Sequence, residues 1–456
     1  MATLIRNATI ICDSGTFVGD VKIIEGVISK IARNGGLTFE STDNVIEAEG
    51  LHLLPGIIDP QVHFRDPGQP EKETLGTGSA AAVSGGVTSF LDMPNNNPSI
   101  TSWDLMQKKL ETASKLCVNN YGFFIGATPD NLSHLQEIVG TPENPKNIPG
   151  ICGTKIFMGS STGDLLVHQK NHLENIFENT GGLIAVHAES EKRLNQRWPE
   201  FEHRTDIAAH AEWRDSETAL EATKLAVELA QQYNHRLHVL HLTSGLEADW
   251  LVGKTGEKIT TETLPQHLTF TDDDVERHGT RLQMNPPIRY SEDRDTLWNR
   301  LKDGTIQCIA TDHAPHTLSS KKLGWPKASS GMPGVETSLP VMLTHAMDGM
   351  CSIEEVVKWM STNVAKCYGM KKKGEIKVGN DADLVLVDLF EEFEVQDKNM
   401  WTNVGWSPFA GRNLVGWPQL TFIQGSPVFK REIKQNPKGQ LLVNPGQTGT
   451  KLICFD

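Results

Sequence analysis

Residues 55–68 read PGIIDPQVHFRDPG. A short apolar strand, Gly56 to Asp59, runs straight into Gln61, His63 and Arg65 at alternate positions. Side chains alternate across a strand, so these three share a face wherever the extended backbone continues. A buried strand ending in polar side chains is the unit that the rest of the middle of the chain repeats. Seven further apolar runs follow it: GVTSFLDMP (86–94), YGFFIGAT (121–128), GICGTKIFM (150–158), GGLIAVHAES (181–190), RLHVLHLTS (236–244), KITTETLP (258–265) and TIQCIATDHAP (305–315). Helical patterns such as SETALEATKLAVELAQQY (216–233) and SEDRDTLWNRLKDG (291–304) lie between them. Near-continuous apolar strands alternating with helices indicate a parallel sheet covered by helices. Eight such units predict an α/β fold, a (β/α)8 TIM barrel. A doubly wound open sheet is disfavoured, because no G-x-G-x-x-G follows the first strand.

The two ends of the chain have a different texture. TLIRNATIIC, GDVKIIEGVISKIA and NVIEAEGLHLLPG near the start, and GEIKVGNDADLVLVD, LTFIQGSPVFK and GQLLVN near the finish, are short β-rich runs separated by turn residues. They predict one small β-sandwich built from both termini. The expected division is 1–54 and 366–456 for the sandwich and 55–365 for the catalytic barrel.

Bulk properties narrow the partners. The 456 residues carry 43 Lys and Arg against 57 Asp and Glu, a formal charge of -14. No basic block offsets this, which argues against nucleic acid and anionic membranes as partners; Lys371 to Lys373 reads as a solvated helix end. No apolar run is long enough to span a bilayer, and MATLIRNATIICDSG lacks a signal-peptide layout. Seven cysteines, an odd count without a C-x-x-C pair, point to reduced thiols and a cytoplasmic location.

In a barrel enzyme the active site forms at the C-terminal ends of the strands. His63 and Arg65 end the first strand, Asp92 and Asn95 the second. Lys155 lies in the fourth, His187 ends the fifth, His241 the sixth and Asp312 the eighth. A lone histidine at a strand end is most simply a hydrogen-bonded rim residue. Three histidines and an aspartate at separate strand ends converge on one axial point, and imidazole with carboxylate suits a divalent metal such as zinc. His238 is out of phase with His241 and His235 precedes the strand, so neither joins the set. Lys155 has two readings. Either its ammonium pairs with a carboxylate at the rim, or it carries a carbamate that bridges two cations. Asp312 is either a plain ligand or a proton carrier between water and a leaving nitrogen. The Ser-, Gly- and Lys-rich segment 316–337 is either a flap over the site or a long surface loop.

These residues look familiar as a set. DPQVHFRDPG, DMPNNNP, VHAES, HLTSG, MNPPIR and IATDHAPH resemble, in the same order, the motifs of the dihydroorotase family within the amidohydrolase superfamily. GEIKVGNDADLVLVD is similar to that superfamily's return into its β-sandwich. The resemblance implies reversible hydrolysis of dihydroorotate to N-carbamoyl-aspartate, in pyrimidine biosynthesis. It also implies one or two zinc ions held by His63, His187, His241 and Asp312 and bridged by carbamylated Lys155. Arg65, Asn95 and His316 would grip the substrate carboxylate, and Asn285 would meet the ring amides. The expected partner is therefore a small molecule, with a homo-oligomer as a further expectation. Two alternatives stand beside this one. A hydantoinase or allantoinase would act on rings that lack the carboxylate. A silent scaffold would keep the fold without turnover, and Gln61, where a paired histidine ligand is expected, is its one support.

Overall fold

The computed structural model describes residues 2–12, 15–161 and 165–455. The eight apolar runs form eight strands: β1 (Ile57–Val62), β2 (Val87–Asp92), β3 (Asn120–Gly126), β4 (Ile151–Phe157), β5 (Leu183–His187), β6 (Arg236–Val239), β7 (Ile259–Thr263) and β8 (Cys308–Ile309). They lie in chain order in one sheet, every pair parallel, with Phe157 opposite His187 and Thr263 opposite Ile309. The ring is completed by a parallel bridge between Val62 and His313, where His63 N–H donates to His313 O at 2.8 Å. Asp59 stitches the same seam. Its carboxylate accepts from Thr311 N (3.1 Å), Thr311 Oγ1 (2.5 Å) and Gln61 N (3.2 Å). Burial nevertheless pushes its pKa up to about 7.

The covering helices form for ordinary local reasons. Ser216–Gln232 starts at Asp215, whose carboxylate accepts from Thr218 N at 3.0 Å and so satisfies one of the free N–H groups of the first turn. Ala219, Ala222, Ala226, Val227 and Ala230 recur three and four positions apart and are buried toward the barrel. Strands and helices together enclose one large apolar cluster that includes Phe90, Phe123, Phe177, Val186 and Trp298.

Both chain ends build a single nine-stranded sheet. The join between them is His52–Pro55 running antiparallel to Leu384–Asp388, with Leu384 opposite Pro55 and Leu386 opposite Leu53. Ile5, Ile10, Val21, Ile23, Leu53, Leu384, Leu386 and Phe422, drawn from both ends, share one core. The expected sandwich is thus one continuous sheet wrapped about this cluster. Gly56 marks the passage into the barrel: a Cβ there would lie 2.2 Å from Thr88 Oγ1, so the Thr88 side chain occupies the space that any other residue would need.

Candidate active site

The residues anticipated from the sequence meet at the C-terminal mouth of the barrel. One pocket is lined by Gln61, His63, Arg65, Asn95, His187, His241, Asn285 and Asp312 together with Phe157, Ser161, Ala314, Ser330 and Gly331. Three of these side chains hang from unusual backbone. Arg65, His241 and Asp312 have φ of 57°, 41° and 45°, in the left-handed region that non-glycine residues seldom enter. Each follows the end of its strand and turns its side chain back over the barrel mouth. Such strain persists where the surrounding structure enforces it, and it concentrates at functional sites.

The polar groups stand in two halves. In the first, Asp312 Oδ1 lies 2.9 Å from His63 Nε2 and accepts from Gln61 Nε2 at 3.1 Å. His63 Nδ1 lies 2.6 Å from Asn95 Oδ1; an amide oxygen only accepts, so Nδ1 carries a proton, and Nε2 is the ring nitrogen turned to Asp312 and the pocket. In the second half, His187 Nδ1 lies 3.0 Å from His241 Nε2. His187 Nε2–H donates to Glu189 Oε2 at 2.9 Å, and Glu189 is in turn paired with Arg214. Burial pushes Glu189 up, but Arg214 and His187 outweigh it and hold the carboxyl at about 2. Burial pushes the imidazoles of His63, His187 and His241 down, which favours their neutral forms.

Lys155 is fully buried in β4, and among the described residues its Nζ makes no hydrogen bond. The ammonium lies 4.5 Å from the centre of the Phe157 ring. Burial pushes its pKa down to about 7, with Asp312 and Glu262 acting the other way. Of its two readings from sequence, pairing with a rim carboxylate is therefore not seen. Arg65 is buried as well. Among the described residues its Nε and Nη1 have no partner, and Nη2 approaches His316 Nε2 at 3.5 Å. Burial, reinforced by Arg65, keeps His316 neutral.

Other anticipated residues have different neighbours. Asp92 accepts from Phe64 N at 2.7 Å and pairs with Lys109 at 2.5 Å, away from the pocket. Asn95 orients His63, and Asn285 Oδ1 accepts from His210 Nε2 at 2.9 Å. His238 bonds Thr260 Oγ1 (2.7 Å) and Glu262 Oε2 (3.0 Å), and His235 bonds the carbonyls of Thr180 and Arg236; neither lines the pocket.

Comparison with known proteins settles the family. The model of the amidohydrolase family matches residues 52–428. The chain belongs to the amidohydrolase family. It is 33% identical to a dihydroorotase of Methanosarcina acetivorans, covering 97% of this chain and 96% of the relative. It is 32% identical to an allantoinase of Streptomyces avermitilis, covering 96% and 98%. The structure superimposes on L-hydantoinase (dihydropyrimidinase) from Arthrobacter aurescens with a TM-score of 0.89 and 28% identity, covering 98% and 99%. This amidohydrolase is a cyclic-amide hydrolase on a parallel eight-stranded barrel.

Amidohydrolases are generally metal-dependent. Among the described residues no three His, Cys, Asp or Glu side chains already close on one point. The donor chemistry nonetheless fits a divalent cation. Asn95 and Glu189 engage one ring nitrogen each of His63 and His187, which leaves His63 Nε2 and His187 Nδ1 as the nitrogens a cation would take. Gln61 Oε1, His241 Nδ1 and Lys155 Nζ are buried polar atoms without partners among the described residues.

The reading from sequence missed Glu189, Arg214 and His210. Glu189 had a local signal, lying two positions beyond His187 in VHAES and so on the same face. Arg214 and His210 come from the segment before the helix Ser216–Gln232 and carry no such mark.

Proposed function

We propose that this amidohydrolase is a dihydroorotase, hydrolysing the ring amide of dihydroorotate reversibly to N-carbamoyl-aspartate. The observation that carries this reading is the buried Arg65 guanidinium beside the pocket, which has two nitrogens without a partner among the described residues. A planar fork of N–H donors suits a planar carboxylate, which dihydroorotate carries and hydantoin and allantoin lack. His316 adds a neutral imidazole beside it, and Asn285, held by His210, offers an amide to the ring.

His63, His187, His241 and Asp312 are the residues that would hold zinc, with Lys155 as a carbamate between the two halves. A buried lysine without any partner is better accommodated as an anion among cations than as a lone ammonium. When bound, the metal supplies polarisation of the amide carbonyl and an activated water. Asp312 accepts the proton released as water adds to the carbonyl carbon, then gives it to the ring nitrogen as the C–N bond breaks. Arg65 keeps the carboxylate, and so the ring, in register with that carboxyl.

Gln61 is the one observation favouring a silent scaffold, since it places a weaker ligand at a metal half-site. Turnover decides between the readings. With metal bound, kcat/KM for dihydroorotate is expected to exceed that for hydantoin or allantoin by about 10²-fold or more. Comparable turnover of either ring without the carboxylate overturns the assignment, as does metal-loaded protein that turns over none of the three.

A further inference from the structure

Segment 316–337 is neither a loose flap nor a plain surface loop. Its short helix Leu318–Lys321 ends in a lysine only 2% exposed. Lys321 Nζ donates to three backbone carbonyls: Gln283 O at 2.7 Å, Ser329 O at 2.8 Å and Gly331 O at 2.9 Å. An ammonium has three N–H donors, so all three are used. Among the described residues it has no carboxylate partner, and burial alone pushes its pKa down to about 7. Such a charge is costly to bury, and here only backbone dipoles offset that cost.

The carbonyls belong to two separated stretches of chain, and both reach the pocket. Ser330 and Gly331 line it directly, and Asn285 lies two residues beyond Gln283. The same stretches are tied again around the ammonium. Gly331 N–H donates to Gln283 O at 2.9 Å, and Gln283 Nε2 donates to Ala328 O at 2.8 Å and to Ser330 Oγ at 3.0 Å. Ala314 N–H donates to Met332 O at 2.9 Å, joining this wall to the loop that follows β8. We propose that Lys321 is a positioning residue, an internal ammonium clamp that holds the Ser329–Gly331 wall and the Gln283–Asn285 stretch together as one rigid side of the substrate pocket. It touches no substrate; it fixes the groups that do. No neutral side chain directs three donors from a single atom toward three carbonyls, so no apolar or amide replacement reproduces the clamp.

The test is Lys321→Met, which keeps the unbranched stem and removes the donors, read by amide hydrogen exchange and by steady-state kinetics on whichever cyclic amide the protein turns over best. Exchange at Gly331 and its neighbours is expected to rise about tenfold or more while the amides of the barrel strands keep their protection. KM is expected to rise about tenfold with kcat falling less than about threefold, the pattern of lost pre-organisation in binding. Unchanged exchange at 328–331 overturns the proposal. So does a rise spread equally over the barrel, which marks a lysine needed only for the fold. Should Lys321→Met not fold, Lys321→Gln, with two donors, is read in the same way. The exchange readout needs no substrate, so it stands or falls apart from the dihydroorotase reading.

Discussion

Replacing Arg65 by methionine separates substrate recognition from stability, because the two are expected to move in opposite directions. The guanidinium is 1% exposed, and among the described residues Nε and Nη1 are unpartnered while Nη2 approaches His316 at 3.5 Å. Burial pushes its pKa down to about 10, with Asp312 and Asp92 acting the other way, so it stays charged through the neutral range. A carboxylate in its fork makes two charge-assisted hydrogen bonds of about 1.5–3 kcal/mol each, or about 3–6 kcal/mol together. At about 1.4 kcal/mol per factor of ten, Arg65→Met lowers kcat/KM for dihydroorotate by about 10²- to 10⁴-fold. Hydantoin has no carboxylate, so whatever turnover it shows changes by less than about fivefold.

Stability is expected to hold or to rise by up to about 2 kcal/mol, since methionine fills much of the space and removes a buried charge that has no direct ion pair. The assay is chromatographic measurement of ring opening on both substrates, with metal content and urea midpoints taken from the same preparations. Equal losses on the two substrates with metal content unchanged would show that Arg65 shapes the site without reading the carboxylate. A clear drop in the urea midpoint would refute the account of an unpaired charge.

Three further outcomes follow from named contacts. Lys155→Ala is expected to abolish turnover and small carboxylic acids to restore part of it, while the intact metal-loaded protein carries the mass of one added CO₂ on Lys155; an unmodified lysine in fully active protein refutes the bridge. Gln61 turns its Nε2 to Asp312 and offers only a neutral oxygen, so the half-site with His63 and Asp312 should lose its ion to a chelator first, and Gln61→His should slow that loss; two ions leaving together at one rate would contradict this. Asp215 caps its helix and pairs with Arg193 at 2.6 Å; burial pushes it up, but hydrogen bonds from Arg193 and Thr218 outweigh that and bring it to about 2. Its folded pKa is therefore below its unfolded value, and its contribution is present above about pH 4 and lost as pH falls toward about 2. Asp215→Asn should cost about 1–2 kcal/mol by urea denaturation at neutral pH and much less near pH 2, where the carboxyl is about half protonated, and a cost that persists unchanged at low pH would rule out the charge as its source.

What the sequence made legible is what strand periodicity controls. Eight apolar runs declare eight buried strands, and His63, His187, His241 and Asp312 at the ends of four of them gather in one pocket, whereas Asp92 turns to Lys109. Phase alone kept His238 out, and it lies instead on Thr260 and Glu262. Periodicity says nothing about contacts made across long separations. Lys321 bonds a carbonyl 38 residues away, and Arg214 pairs with Glu189 25 residues away. It says equally little about backbone that leaves the strand. The positive φ of Arg65, His241 and Asp312 turns these side chains over the mouth, and no local pattern announces it. Gln61 shows the limit most clearly. From its position it could offer either end of its amide to the site. A carboxylate only accepts, so Asp312 takes the NH₂ end and the oxygen is left without a partner beside His63. The substitution thus keeps a ligand-bearing atom at the place where the spacing asks for one, and it changes the strength of that ligand without removing it.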